Sequence, residues 1–219
     1  MDSDDALAPD ALAEIIKVYE KHPDCGYVYT QCWYCDQNLK PIHLGFSAPI
    51  PEGKSNLHVN AVVAMRTFKK EAYFKTSGYD EEIIFAEDID LTLKMEEATC
   101  LYFLNKPLYY YRILPQSQSH SFKNAQINRS STALAKLKAY QRRLGASIPN
   151  LNKVEISAVL FLGIFSSLLA GRLNLAKRFV RELKEINLWF FCQPKFWWLV
   201  GKKFLKILKL KLYRFKLVF

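Results

Sequence analysis

Apolar positions recur at helical spacing in "PDALAEIIKVYEKHP" (9–23): Leu12, Ile15, Ile16 and Tyr19 follow the i, i+3, i+4, i+7 pattern of one buried face, and Pro9 suits a first turn. The period then changes. "GYVYTQCWYC" (26–35) is rich in β-branched and aromatic residues and predicts a strand, with "DQNLKP" as a polar turn behind it. From Ile42 to Leu57 no period holds, and the prolines and glycine at 49–53 mark a loop. "HVNAVVAMRT" (58–67) returns to the strand pattern. "KKEAYFKTSGYDEEI" (69–83) predicts a short helix closed by Gly78, and "AEDIDLTLKMEEA" (86–98) a second helix with an acidic first turn. Around Lys106 and Pro107, "CLYFLNKPLYYYRI" (100–113) predicts two short extended runs.

After this mixed region the composition shifts to helix formers. "SSTALAKLKAYQRRLGA" (130–146) predicts a helix stopped by Gly145, followed by a helical hairpin from "VEISAVLFLGIFSSLLAG" (154–171) and "NLAKRFVRELKEI" (174–186). The pattern therefore predicts an α/β architecture, strands with flanking helices, followed by an all-helical region. Divisions are expected near 125 and 192: a sheet-containing part over 1–125, helices over 126–192, and a basic amphipathic tail helix over 193–219.

Composition refines this picture in three ways. Half of the 219 residues are apolar, enough for a proper core, and the net charge is +10. That charge belongs to one end: residues 151–219 hold 14 Lys or Arg against 3 Glu, whereas residues 1–150 hold 17 against 18 acids. Five scattered cysteines do not form the even framework of a secreted disulfide protein, and Cys32 and Cys35, i and i+3 on a strand, face opposite sides, which suits a structural role better than zinc. The N-terminus carries acid where a signal peptide needs base and an apolar run, and the run 154–171 carries Glu155 and falls short of the roughly 20 apolar residues of a membrane span.

Candidate chemistry lies in two acidic clusters about 85 residues apart: Asp2, Asp4 and Asp5, then Glu87, Asp88 and Asp90. Each alone is explained by the helix dipole. An EF-hand starting at Asp2 is excluded, because its sixth position is Leu7 and its twelfth Ala13. Read together, "DSDD" and "GYDEEIIFAEDIDL", with "PDAL", "HPDCGYVYTQ", "MRTFKKEAYFKTSGYDEE" and "NKPLYYYRILPQSQSHS" in order between and after them, resemble the active site of glycosyltransferase family 2 on a GT-A fold. The resemblance covers Asp2 to about Phe122 and implies an incomplete GT-A-like mixed sheet there.

That resemblance implies an inverting transfer of a sugar from a nucleotide-diphosphate donor to the hydroxyl of a saccharide or lipid-linked acceptor. Asp2 and Asp4 occupy the D-x-D positions that hold Mn2+ or Mg2+, whose charge neutralises the diphosphate leaving group. Asp88 takes the position of the base that accepts the acceptor proton, with Glu87 orienting acceptor or base. Arg112 is a contact for the diphosphate or the acid pair, and His120, several residues later than the family's usual histidine, is a metal or phosphate contact or a plain loop residue. His43 and His58 have no assigned partner. In the family the D-x-D closes a nucleotide-binding half, so the expectation is an acceptor-side portion, truncated and inactive unless a separate N-terminal half is supplied. The alternative expectation is a non-catalytic, membrane-associated interaction protein.

The tail "KFWWLVGKKFLKILKLKLYRFKLVF" (195–219) holds eight basic residues and no acid. On a helical projection Phe204, Leu205, Leu208, Leu212, Phe215 and Phe219 form one stripe beside Lys202, Lys206, Lys209 and Lys216, the pattern of an interfacial helix on anionic lipid or of a terminal helix packed on the hairpin. The continuous apolar stripe argues against nucleic acid. The expected location is cytoplasmic, peripheral at the inner face of the plasma membrane.

Overall fold

The computed structural model describes residues 3–114, 121–194 and Trp197. Its centre is the strand β2 (Cys25–Cys35), buried along nearly all of its length. Burial on both faces explains why its sequence reads as a continuous apolar and aromatic run rather than an alternation. On one side β2 pairs in parallel with β5 (Cys100–Arg112), and β5 carries on its outer edge the two-residue β1 (Ala6–Leu7), antiparallel, with Leu7 opposite Tyr109. On the other side, β3 (Pro41–Leu44) pairs antiparallel with the end of β2, and β4 (Arg66–Phe68) pairs antiparallel with its beginning. The result is a mixed five-stranded sheet.

Helices cover both faces. Val28 and Cys32, on one face of β2, pack against Ala11, Ile15 and Val18 of α1 (Ala11–Lys21). Tyr27 and Tyr29, on the other face, pack against Ala72 of α3 (Lys70–Tyr73) and Leu91 and Met95 of α4 (Glu87–Ala98). Period-two alternation along β2 thus assigns each neighbour to its helix. The 13-residue β5 is continuous where two runs are expected, and its register shifts between Thr30 and Cys32 on β2, where Gln31 faces Pro107. Proline offers no N–H to the ladder, so the irregularity falls there.

The strand expected over 58–67 shrinks to β4 at its end. Polar side chains win locally. Ser55 and His58 cap the short helix α2 (Asn56–Val59), Asn60 adopts the left-handed conformation (φ 53), and the Asn56 side chain accepts the Ala61 and Val62 N–H groups. Within the looser stretch, β3 forms and the following loop lies over β2, held by Tyr29 Oη to the Ala48 carbonyl and Gln31 Nε2 to the Ser47 carbonyl.

Three long helices follow: α5 (Phe122–Arg142), α6 (Lys153–Leu169) and α7 (Leu173–Asn187). The first begins eight residues before the expected Ser130, because Ser121 caps it by accepting the Asn124 N–H. Asn152 and Glu155 form a capping box on α6. Gly163 of α6 lets α5 and α7 approach closely: a Cβ there would lie 2.8 Å from the Ala133 Cβ and 2.9 Å from the Phe179 ring. The core of these helices is continuous with Leu57, Ile83, Ala86 and Leu93 of the sheet-containing part. Among the described residues no helix is long and apolar enough to cross a membrane.

One buried cation ties the two regions. Arg143, just after α5, has a side chain with no exposed surface; it pairs with Glu96 (2.9 Å) and Glu97 (2.8 Å) and donates to the Leu93 carbonyl, so the C-terminal half of α4 is clamped onto α5. Removing Arg143 leaves Glu96 without its cation and Glu97 with Arg142 alone. Arg143→Leu is expected to cost about 3–5 kcal/mol in urea unfolding, and Arg143→Lys to recover less than half, since the forked contacts need a guanidinium.

Candidate active site at the carboxyl end of the parallel strands

β2 and β5 end together, with Cys35 opposite Arg112. In open α/β sheets this carboxyl end is where ligands sit. One carboxylate of each acidic cluster is fixed on the sheet by a different route. Asp5 arrives from β1: its carboxylate accepts the Tyr109 hydroxyl (2.7 Å) and the Arg112 backbone N–H (2.7 Å), one on each oxygen. Asp88 arrives from α4, whose C-terminal end leads directly into β5, so that the helix runs back along the sheet and presents its first turn toward the strand ends.

Asp88 meets Arg66 on β4, which lies opposite Tyr29 of β2. Its guanidinium pairs with Asp88 at 2.7 Å, with side chains 27% and 40% exposed, while the second Asp88 oxygen accepts the Ile89 N–H (2.7 Å). Arg66 also acts on groups of the sheet: the Cys32 thiol, pushed up to about 11 chiefly by burial, is raised further by Cys35 and Asp5 and lowered by Arg66. One thiol on β2 thus lies within electrostatic reach of both halves of the site. Burial also raises the Tyr79 phenol, with further upward pushes from Tyr73, Glu87 and Asp88, which places this exposed ring beside the acid pair.

The acids and bases named from sequence divide as follows. Asp88 meets Arg66, Glu87 is exposed at the start of α4, and Asp4 is half-buried beside Asp5, making no hydrogen bond or ion pair among the described residues. Arg112 donates its backbone N–H to Asp5 and its Nη1 to the Gln37 carbonyl (3.0 Å), and its Nε is buried without a hydrogen-bond partner among the described residues. Asp2 and His120, like nearly all of the tail from 195 on, lie outside the described residues. Asp90 is not available for chemistry: it is buried and paired with Lys94 at 2.6 Å. His43, opposite Tyr34 near the end of β2, stacks on that ring, and its Nδ1 lies 2.9 Å from the Leu44 carbonyl, whereas His58 caps α2 away from the strand ends. Arg66 was not foreseen, because only the register of β4 on Tyr29 brings it near Asp88.

A hard divalent cation fits part of this arrangement. Both oxygens of Asp5 are engaged in holding β1 to β5, whereas the Asp4 carboxylate is an oxygen ligand of the right kind with no hydrogen bond or ion pair among the described residues. Among the described residues, the group of three metal-capable side chains that does come together is Asp24, Cys25 and Cys100, at the opposite end of the same two strands. A cavity of about 630 Å3 beside Glu82 and the start of α7 is separate from the carboxylates.

A mixed five-stranded sheet with helices on both faces and further helices after it makes this an α/β protein. No family model matches the chain. It is 29% identical over 131 residues to the chondroitin synthase of Escherichia coli, covering 60% of this chain and 19% of that protein. It is 33% identical over 130 residues to the chondroitin synthase of Pasteurella multocida (57% and 13%) and 33% identical over 120 residues to the hyaluronan synthase of Pasteurella multocida (52% and 12%). The chain thus spans less than a fifth of the length of each of these relatives.

The double acceptance at Asp5 generates a test. In Asp5→Ala the Arg112 N–H loses its acceptor, and β1, without that clasp, opens more readily at the Ala8 N–H that donates to the Leu108 carbonyl. Their hydrogen exchange should accelerate by about 10- to 100-fold while amides of β2 keep their protection.

Proposed function

We propose that this chain is the acceptor-side portion of a family 2 glycosyltransferase of polysaccharide synthesis, transferring a sugar with inversion from a nucleotide-diphosphate donor to an acceptor hydroxyl. The observation that carries the reading is the coincidence of two independent facts. Chondroitin and hyaluronan synthases align with over half of the chain, and each acidic cluster quoted from its sequence has one carboxylate fixed on the sheet, Asp5 by the end of β5 and Asp88 by Arg66 of β4.

In this reading the described region over 1–125 supplies the chemistry and residues 126–192 brace it. Asp4, with Asp2, holds Mn2+ or Mg2+, which when bound offsets the charge of the departing diphosphate. Arg112 and its inward-facing Nε add positive charge near the same end of the sheet. Asp88 accepts the acceptor proton. Arg66 fixes its carboxylate without using it up, because each carboxylate oxygen has two acceptor directions and the ion pair and the Ile89 N–H take one each. Glu87 and the exposed Tyr79 ring flank the approach of a saccharide. Nucleotide-sugar donor and saccharide or lipid-linked acceptor are the partners, a nucleotide-binding half completes the donor site, and the basic tail 193–219 addresses the chain to the anionic inner face of the plasma membrane.

A second reading, a non-catalytic interaction protein on the membrane, is favoured by one observation: Asp88 is charge-neutralised by Arg66 and Asp5 is consumed in holding an edge strand. Titration with nucleotide-diphosphate sugars in Mn2+ separates the two. Saturable binding that Asp4→Ala abolishes supports the transferase, and a folded chain that binds no donor, alone or with a nucleotide-binding half added, supports the second reading. In a competent assembly Asp88→Asn should lower kcat by about 100- to 10,000-fold and leave donor affinity within about twofold.

A further inference from the structure

At the amino end of the same two strands, Cys25 opens β2 and Cys100 opens β5, directly opposite one another in the parallel register. We propose that these two cysteines are a modification site: a dithiol that closes to a disulfide when it meets a low-molecular-weight disulfide. The inference does not depend on the transferase reading.

Their sulfurs lie 2.8 Å apart, with the Cys25 S–H directed at the Cys100 sulfur. A disulfide bond needs 2.03–2.05 Å, so closure asks for about 0.8 Å of movement. The backbone already complies, since paired neighbouring strands are about 4.8 Å apart and disulfides span Cα separations of about 4.4–6.8 Å. A metal asks for the reverse. Two thiolates on one tetrahedral zinc stand roughly 3.8 Å apart, given Zn–S bonds of about 2.3 Å, so the strands would have to be pried open.

The two thiols differ in access. Cys100 is exposed and Cys25 is 3% exposed. Burial, followed by the Cys100 contact, pushes the Cys25 thiol up to about 12, so it stays protonated at neutral pH. Cys100 therefore acts first. Its thiolate attacks one sulfur of oxidised glutathione, an S–S bond forms, and one glutathione thiolate leaves and takes a proton from water. Cys25 then attacks the Cys100 sulfur, and its proton passes through water to the departing glutathione. The second glutathione leaves as thiolate and is protonated in turn. Two protein thiols are oxidised, one glutathione disulfide is reduced, and the bond closes a loop over residues 25–100.

The full chain incubated with excess oxidised glutathione should fall from five free thiols to three and lose about 2 Da, and peptide mapping should join the Cys25 and Cys100 peptides. Its Tm should rise by about 5–15 °C and return on adding dithiothreitol, as a long closed loop predicts. Cys100→Ser, at an exposed position, should keep the fold and the original Tm and show no 2 Da loss. Cys32, Cys35 and Cys192 replaced together by serine should retain the loss; if that variant fails to fold, peptide mapping of the parent chain decides alone. An unchanged thiol count in a folded chain would overturn the proposal. So would a bond mapped to Cys32 and Cys35, or stoichiometric zinc that blocks oxidation and is lost in Asp24→Asn.

Discussion

The parallel pairing of β2 with β5 is the constraint on which the rest of the molecule depends. Parallel strands cannot be joined by a tight turn, so residues 36–99 must leave one end of β2 and return at the other. That excursion is put to use. It drops β3 and β4 onto the free edge of β2, covers the sheet with the 45–55 loop, and comes back through α4, which points its first turn at the strand ends. A site containing Arg66 and Asp88 therefore exists only because β5 docks beside β2, and Asp5 is fixed only because β5 then offers Tyr109 and the Arg112 N–H to it.

Along α4, acidic residues have divided their work by position. Glu87 and Asp88 lie in the first turn, where the helix dipole favours charge and solvent reaches them. Asp90, one turn in, is buried and held by Lys94, which also donates to the Gly78 carbonyl (2.7 Å) and so anchors the loop before the helix. Glu96 and Glu97 belong to Arg143 and Arg142 and fasten the helix to α5. Burial raises Glu96 despite the Asn56 N–H and Arg143, a sign of how far this pair is removed from water. One helix thus connects the helical region to the carboxylates at its other end.

What the sequence disclosed follows the range of the interactions involved. Helix α1, strand β2 and helix α4 were legible because their faces or their continuous burial are written in consecutive residues. The helices after the sheet were legible for the same reason, whereas the mixed sheet was expected from the resemblance to the GT-A fold. The strand at 58–67 was misread because β-branched residues there compete with Ser55, Asn56 and Asn60, whose side chains and left-handed backbone build a capped turn instead. Arg66 and the Cys25–Cys100 contact were invisible for a different reason: each depends on strand register between segments some 20 to 75 residues apart, which no local pattern records. Asp5 was read as a companion of the D-x-D, and only the pairing of β1 with β5 shows that it serves as a clasp.

The clasp bears on how a cation site could be organised. A carboxylate that must bind metal gains little by also satisfying an N–H and a hydroxyl, whereas a carboxylate one residue away gains a fixed backbone from that arrangement. Asp5 spends both oxygens on β5, and Asp4 is thereby held at the strand ends with its own oxygens uncommitted among the described residues. Arg66 stands to Asp88 as β5 stands to Asp5, fixing a carboxylate by one contact per oxygen. In the first cluster the fixed carboxylate, Asp5, is thus distinct from the uncommitted one, Asp4, whereas in the second Asp88 is held both by Arg66 from the edge of β2 and by the Ile89 N–H of its own helix.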